Sequence, residues 1–198
     1  MTVRTKRETM KTLFTSDSHF GHFNIIKYTH RPFSTIEEMN ENLIFSWNSV
    51  VDPDDTVYHL GDFTMGSTEY AISILKRLNG KKCIVLGNHD KALRKAPRAF
   101  DGLIEWMKDY AEVSINGQLI IMCHYPFSVW NQSHRGAWDL HGHCHNTHNY
   151  LNTEFVKRLD VGVDNFNYAP VSFEKVKEIM DSKTFKPIDH HVQKDDKY

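Results

Sequence analysis

The stretch Lys82-Cys83-Ile84-Val85-Leu86-Gly87-Asn88-His89-Asp90 decides how this chain is read. Lys82 to Leu86 reads as a strand, and at Gly87 it gives way to a cluster of polar, chemically able side chains. The same change recurs along the chain. Asp17-Ser18-His19 follows a strand over Met10 to Ser16, and Gly61-Asp62 follows one over Thr56 to Leu60. His124 follows Gln118 to Cys123, and Gly142-His143-Cys144-His145 closes a strand that starts at Trp138. In open α/β sheets, ligands bind beyond the carboxyl ends of the strands. If these strands lie side by side, their ends converge on one crevice.

Helices fill the early gaps between strands. Ser34 with Glu37 reads as a capping box, followed at helical spacing by Ile36, Met39, Leu43, Trp47 and Val50. Asp52-Pro53-Asp54-Asp55 turns the chain into the next strand. A second amphipathic helix is expected over Ser67 to Asn79, with Gly80 just past its end. Lys91 to Met107 reads as irregular to helical, interrupted at Pro97. Asn116-Gly117 between Tyr110–Ile115 and Gln118–Cys123 is a strong hairpin signal. A further strand over Phe155 to Val163 and a helix over Ser172 to Met180 complete the pattern. Alternating elements followed by a hairpin imply an α/β architecture with mixed sheets covered by helices. Residues 1–181 are expected to form one domain and 182–198, with His190 and His191, a polar tail.

Composition excludes several classes. The 198 residues carry 24 Lys and Arg against 25 Asp and Glu, a net charge of −1, which argues against an electrostatic nucleic-acid clamp. Apolar runs are only about five residues long, as at Leu119 to Cys123, far short of a membrane span. Met1 to Lys11 is basic and polar, so no secretory signal is expected. Cys83, Cys123 and Cys144 are odd in number and lack CxxC spacing, which favours a reducing cytoplasm over a disulfide framework. Thirteen histidines in one chain are the unusual feature, because histidine is the commonest metal ligand.

Spacing points the same way. In an extended segment residues two apart share a face, so Asp17 and His19 are expected to point together, as are His143 and His145. Oxygen and imidazole donors suit manganese, iron, nickel or zinc better than an all-oxygen cage.

The ordered set Asp17-x-His19, Gly61-Asp62, Gly87-Asn88-His89-Asp90, His124 and Gly142-His143-x-His145 resembles the calcineurin-like metallophosphoesterase superfamily. Ser16 to His22 and His124-Tyr125-Pro126 resemble its small bacterial and phage-type members, and Pro170-Val171-Ser172-Phe173 resembles their close. The resemblance implies a four-layer αββα sandwich and two divalent metal ions. It assigns Asp17, His19, Asp62 and His145 to one ion. Asp62 bridges to a second, completed by Asn88, His124 and His143. Manganese is the first candidate, with iron, nickel or zinc as alternatives. The implied reaction is attack on phosphorus by a hydroxide between the ions, with His89 as general acid.

Other residues keep two readings each. Asp90 either orients His89 or serves structurally. His59 and His141 either support the ligands or are satisfied buried histidines. Arg31 either forks onto a substrate phosphate or makes an ion pair in an exposed loop. His22 and Arg135 are candidate substrate contacts. Tyr125 to Ala137 is either a stacking wall for a nucleotide or the packing of a long loop. With little room for a cap domain, the site is expected to be open, which favours a small or nucleotide-type phosphodiester over a monoester. A non-catalytic scaffold is the alternative from another class, and a nuclease on long nucleic acid is disfavoured by the charge.

Overall fold

The computed structural model describes residues 10–145 and 156–186. The segment 1–9, Phe155 and the tail histidines His190 and His191 lie outside the described residues. Two mixed sheets carry the fold. The first has five strands: β1 (Thr12–Thr15), β2 (Thr56–His59), β3 (Lys81–Val85), β4 (Trp106–Lys108) and β9 (Val171–Ser172). Their order is β4-β3-β2-β1-β9, parallel except for the antiparallel edge strand β9. The second sheet holds β5 (Tyr110–Ile115), β6 (Gln118–Cys123), β7 (Trp138–His141) and β8 (Arg158–Asp160) in sequence order. Only its β5–β6 hairpin is antiparallel. Asn116 and Gly117 turn that hairpin at φ 50° and 82°, the left-handed pair that a two-residue turn of matching twist requires.

Alternation along the strands divides the core. Phe14, Leu60 and Val85 of the first sheet meet Ile120, Met122, Trp138 and Leu140 of the second between the two layers, joined by Phe173, Val176 and Met180 of α5 (Phe173–Ser182). The opposite face of the first sheet, Leu13, Val57 and Ile84, packs against α2 (Ile36–Val50) and α3 (Thr68–Leu75). Short helices α1 (Phe23–Tyr28) and α4 (Lys91–Lys95) follow two of the strand-end loops. The outer face of the second sheet carries Trp130 and Ala137 from the loop after β6, packed on Ile121. This is the expected α/β class with two mixed sheets.

Local differences have physical causes. The α2 cap lies one residue later than the sequence suggests. Thr35 accepts from the Glu38 N–H at 3.1 Å, and Glu38 answers by accepting from the Ser34 N–H at 2.7 Å. Helix α3 ends at Leu75 rather than Asn79, because Arg77 and Leu78 tighten into bonds to the carbonyls three residues back. Strand β4 occupies part of the segment expected to be irregular to helical. Its three residues are too few to display alternation, and only pairing with Cys83 to Val85 defines them. Of the strand expected over Phe155 to Val163, the described residues from 156 on place Arg158–Asp160 in strand. No helix among the described residues is long and apolar enough to cross a membrane.

Candidate metal centre

The carboxyl ends of β1, β2, β3, β6 and β7 do converge, and main-chain bonds extend their pairing past the strands. Asp17 N–H donates to the Gly61 carbonyl at 2.9 Å, His19 N–H to that of Asp62 at 2.9 Å, and Gly142 N–H to that of His124 at 3.0 Å. Two groups of donors result. Asp17, His19 and His145 form one, and Asp62, His124 and His143 the other, with the donor atoms of each within 4.8 Å of one another.

The convergence does not arise from extended alternation. Asp17, His19, Asp62, His143 and His145 all have positive φ, between 45° and 71°. That region is sparsely used by residues other than glycine and costs of order 1 kcal/mol or more each, a strain typical of sites fixed for a purpose. Left-handed turns aim Asp17 and His19 at one point while Ser18 reverses to meet His59 Nε2 at 2.9 Å. In the second loop the same geometry separates the pair expected to point together. His145 faces Asp17 and His19, whereas His143 faces Asp62 and His124.

The two groups meet at Asp62. Its Oδ2 lies 3.5 Å from His19 Nε2 and 3.4 Å from His124 Nε2. Asn88 Oδ1 is 3.1 Å from His124 Nε2 and accepts from the Tyr125 hydroxyl at 3.3 Å. His89 donates its main-chain N–H to Asp62 Oδ1 at 2.8 Å, and its ring Nε2 stands 4.0 Å from Asp62 Oδ2. His22 lines the mouth, its Nδ1 3.4 Å from His19 Nδ1 and its ring 5.8 Å from that of His89.

The donor set fits divalent cations. Asp17 Oδ1 is buried with no hydrogen-bond partner, a costly arrangement in a dry interior. His19 Nε2 and His145 Nε2 face each other at 3.3 Å. Burial pushes the Asp17 carboxyl up to about 7, although the His145 and His124 charges pull it down. The chain alone therefore leaves this carboxylate undercompensated. Burial opposes ionisation of Asp62 too, but hydrogen bonding to His124, the charges of His124 and His19 and the His89 N–H hold it far below the usual carboxylate range. Burial would lower His124, yet the hydrogen bond to Asp62 and the Asp17 and Asp62 charges push it up to about 9. Without an ion, a protonated imidazole thus supplies the positive charge. Its Nδ1 donates to the Leu60 carbonyl at 2.9 Å, so Nε2 becomes the donor towards a metal once that proton leaves.

Glycines make the close approach of the loops possible. A methyl group at Gly87 would lie 2.2 Å from Asp62 Oδ1, and one at Gly142 would lie 1.9 Å from Ser16 Oγ and 2.3 Å from Asp17 Oδ2. Gly142→Ala is therefore expected to cost about 1–3 kcal/mol of stability through overpacking and to lower metal uptake by displacing Asp17. Thermal unfolding and metal analysis check this, and wild-type behaviour in both would contradict it.

Several sequence expectations need correction. Arg31 is buried, not in an exposed loop, and its guanidinium is engaged within the chain. Its guanidinium donates to Asp164 from Nε at 2.8 Å and from Nη2 at 3.0 Å, and to the Asp17 and Ser18 carbonyls at 2.7 and 3.1 Å. Arg135 is exposed in the 3-10 turn Ser133–Arg135, which precedes β7 and so lies at the opposite end of that strand from His143. Its neighbour Gly136 is bonded by Gln118 at the start of β6. Of the loop Tyr125 to Ala137, Trp130 and Phe127 pack on the outer sheet face. Tyr125 does stay at the site, its ring 4.7 Å from that of His143. Asp90 serves structurally, accepting from the N–H groups of Asp62, Phe63 and Gly87 at 2.8–2.9 Å. His59 is buried behind Ser18, and burial holds its ring down at about 3 despite the Asp62 charge.

Asp164, not among the residues expected from the sequence, accepts from His145 Nδ1 at 2.8 Å. A signal for it lies in the sequence: Asp164 follows a strand and a glycine, as Asp62, Asn88 and His143 do.

Residues 10–173 match the family model described as calcineurin-like phosphoesterase. An uncharacterized protein of Methanocaldococcus jannaschii is 36% identical over 177 residues, covering 86% of this chain and 92% of that protein. The gene 66 protein of Mycobacterium phage L5 is 27% identical, covering 77% of this chain and 86% of its own length. In fold, the chain is similar to the crystal structure of a protein of unknown function from Aquifex aeolicus, with a TM-score of 0.65 and 24% identity, covering 86% of this chain and 100% of that one.

Proposed function

The chain belongs to the calcineurin-like phosphoesterase family, and on that premise we propose that it is a two-metal hydrolase of a small or nucleotide-type phosphodiester. The observation that carries the proposal is the position of Asp62, whose Oδ2 stands within 3.5 Å of imidazole nitrogens from both donor groups. A carboxylate shared between a set with one further carboxylate, Asp17, and a set of neutral donors is what holding two cations side by side requires. Asp17, His19, Asp62 and His145 would hold one ion, and Asp62, Asn88, His124 and His143 the other. Manganese is the first choice, with iron, nickel or zinc compatible with the same donors. Two such ions would supply Lewis acidity towards a phosphoryl oxygen and a nucleophilic water at neutral pH.

The chain's own residues do the rest. His89 is tied to Asp62 through its main chain, while its side chain is 35% exposed and faces the open side. It is the proposed general acid that gives a proton to the leaving oxygen. Asn88, Tyr125 and His143 are exposed at the same face, and no element among the described residues covers it. Among the described residues that face is open and leaves room for a substituent on each side of phosphorus, which supports a diester.

The test is hydrolysis by metal-loaded protein of a panel of diesters and monoesters, cyclic nucleotides included, with each of the four metals. A higher kcat/KM for diesters is the expected result. Preference for monoesters would make the chain a phosphomonoesterase, and no turnover with two ions bound would make it a scaffold.

A further inference from the structure

We propose that Asp164 and Arg31 form a buried brace that selectively sets metal affinity at the Asp17–His19–His145 group. The inference rests on the two-metal reading above.

Asp164 lies in the 3-10 turn Val163–Asn165, beyond β8. One of its oxygens accepts from His145 Nδ1 at 2.8 Å, and both accept from Arg31. A carboxylate bonded to a guanidinium can only accept from the imidazole, so the His145 proton stays on Nδ1. The lone pair of Nε2 then faces inward, 3.7 Å from Asp17 Oδ1 and 3.3 Å from His19 Nε2. This is the arrangement in which a carboxylate fixes both the tautomer and the ring orientation of a metal-binding histidine.

Arg31 ties this bond to the other half of the group. The same guanidinium that holds Asp164 also grips the carbonyls of Asp17 and Ser18. It thereby links the loop after β1, which carries Asp17 and His19 in the left-handed conformation at φ 57° and 52°, to the turn after β8 and, through Asp164, to His145 at φ 45° in the loop after β7. The side chains of Arg31 and Asp164 are 0% and 9% exposed, so solvent weakens the pair little. Removing one partner would strand the other's charge in the interior.

The brace is one-sided. On the second group His124 is oriented by the Leu60 carbonyl, and neither Arg31 nor Asp164 hydrogen-bonds to the side chains of Asp62, His124, His143 or Asn88. Asp164 and Arg31 are thus positioning residues for one metal of the two.

The experiment is manganese titration of the full chain, comparing wild type with Asp164→Asn and Arg31→Lys, each also in a His143→Ala background. Circular dichroism of the metal-free proteins checks folding. Wild type is expected to take up two ions. Asp164→Asn should hold the Asp62-group ion as wild type does and bind the other about 10–100-fold more weakly. In the His143→Ala background, where the first group is the intact one, the same substitution should weaken the remaining uptake by a similar factor. Arg31→Lys, which keeps the charge but not the fork, should follow in direction and carries the test if Asp164→Asn does not fold. Equal weakening of both ions marks a merely structural role and overturns the brace, as does wild-type binding in the folded variants. Wild-type protein that takes up no ion overturns the two-metal reading, and the brace with it.

Discussion

Asp62→Asn is expected to lower turnover by on the order of a thousandfold or more and to empty both metal positions. The substitution keeps the shape of the side chain and its acceptor for the His89 N–H, but removes the one negative charge between the two donor groups. Metal Lewis acidity is worth several kcal/mol of transition-state charge stabilisation, and ~4 kcal/mol corresponds to roughly a thousandfold. No equivalent ligand stands ready: Asp17 serves one group, and Asp90 is committed to three main-chain N–H groups. Metal analysis beside steady-state kinetics checks the expectation. A variant that retains two tightly bound ions and near wild-type activity would refute the bridging role.

His89→Ala is expected to behave differently, keeping both ions while losing about 10²–10⁴-fold in turnover of substrates with poor leaving groups. His89 lies outside both donor groups, its Nε2 4.0 Å from Asp62 Oδ2. The bond that ties it to Asp62 comes from its main chain and survives truncation. The discriminating measurement compares an alkyl diester with a nitrophenyl diester. A nitrophenolate departs without a proton, so its hydrolysis should fall far less than that of the alkyl ester. Equal losses on both substrates would point to electrostatic assistance, and lost metal would make His89 part of the binding site.

Much of this site is legible in the order of residues alone. Metal donors must be held on stiff elements and still reach solvent, so strands that end in Asp, Asn or His announce themselves as Gly61-Asp62, Gly87-Asn88-His89 and Gly142-His143 do. Long apolar stripes are legible for a related reason: Met39, Leu43 and Trp47 bury one face of α2 against the sheet. The pairing of β4 is not, since a three-residue strand carries too little periodicity to compete with helical readings of its neighbours. For Arg31, a guanidinium in a loop near metal ligands suits a phosphate contact and an ion pair equally well. Only its four hydrogen bonds to Asp164, Asp17 and Ser18 decide between them.

The sequence by itself determined the chemistry available, because residue types and their order at strand ends are local properties. The partition of that chemistry, which the family resemblance implies but side-chain spacing does not, has its physical reason in the tertiary structure. His143 and His145 stand two apart in sequence yet face different groups, because their backbones turn at φ 71° and 45° instead of extending. Side-chain spacing cannot report such angles, since the packing of two sheets imposes them. Asp164 and Arg31, 133 residues apart, meet for the same reason: a contact between loops of different sheets exists only once both sheets are in place.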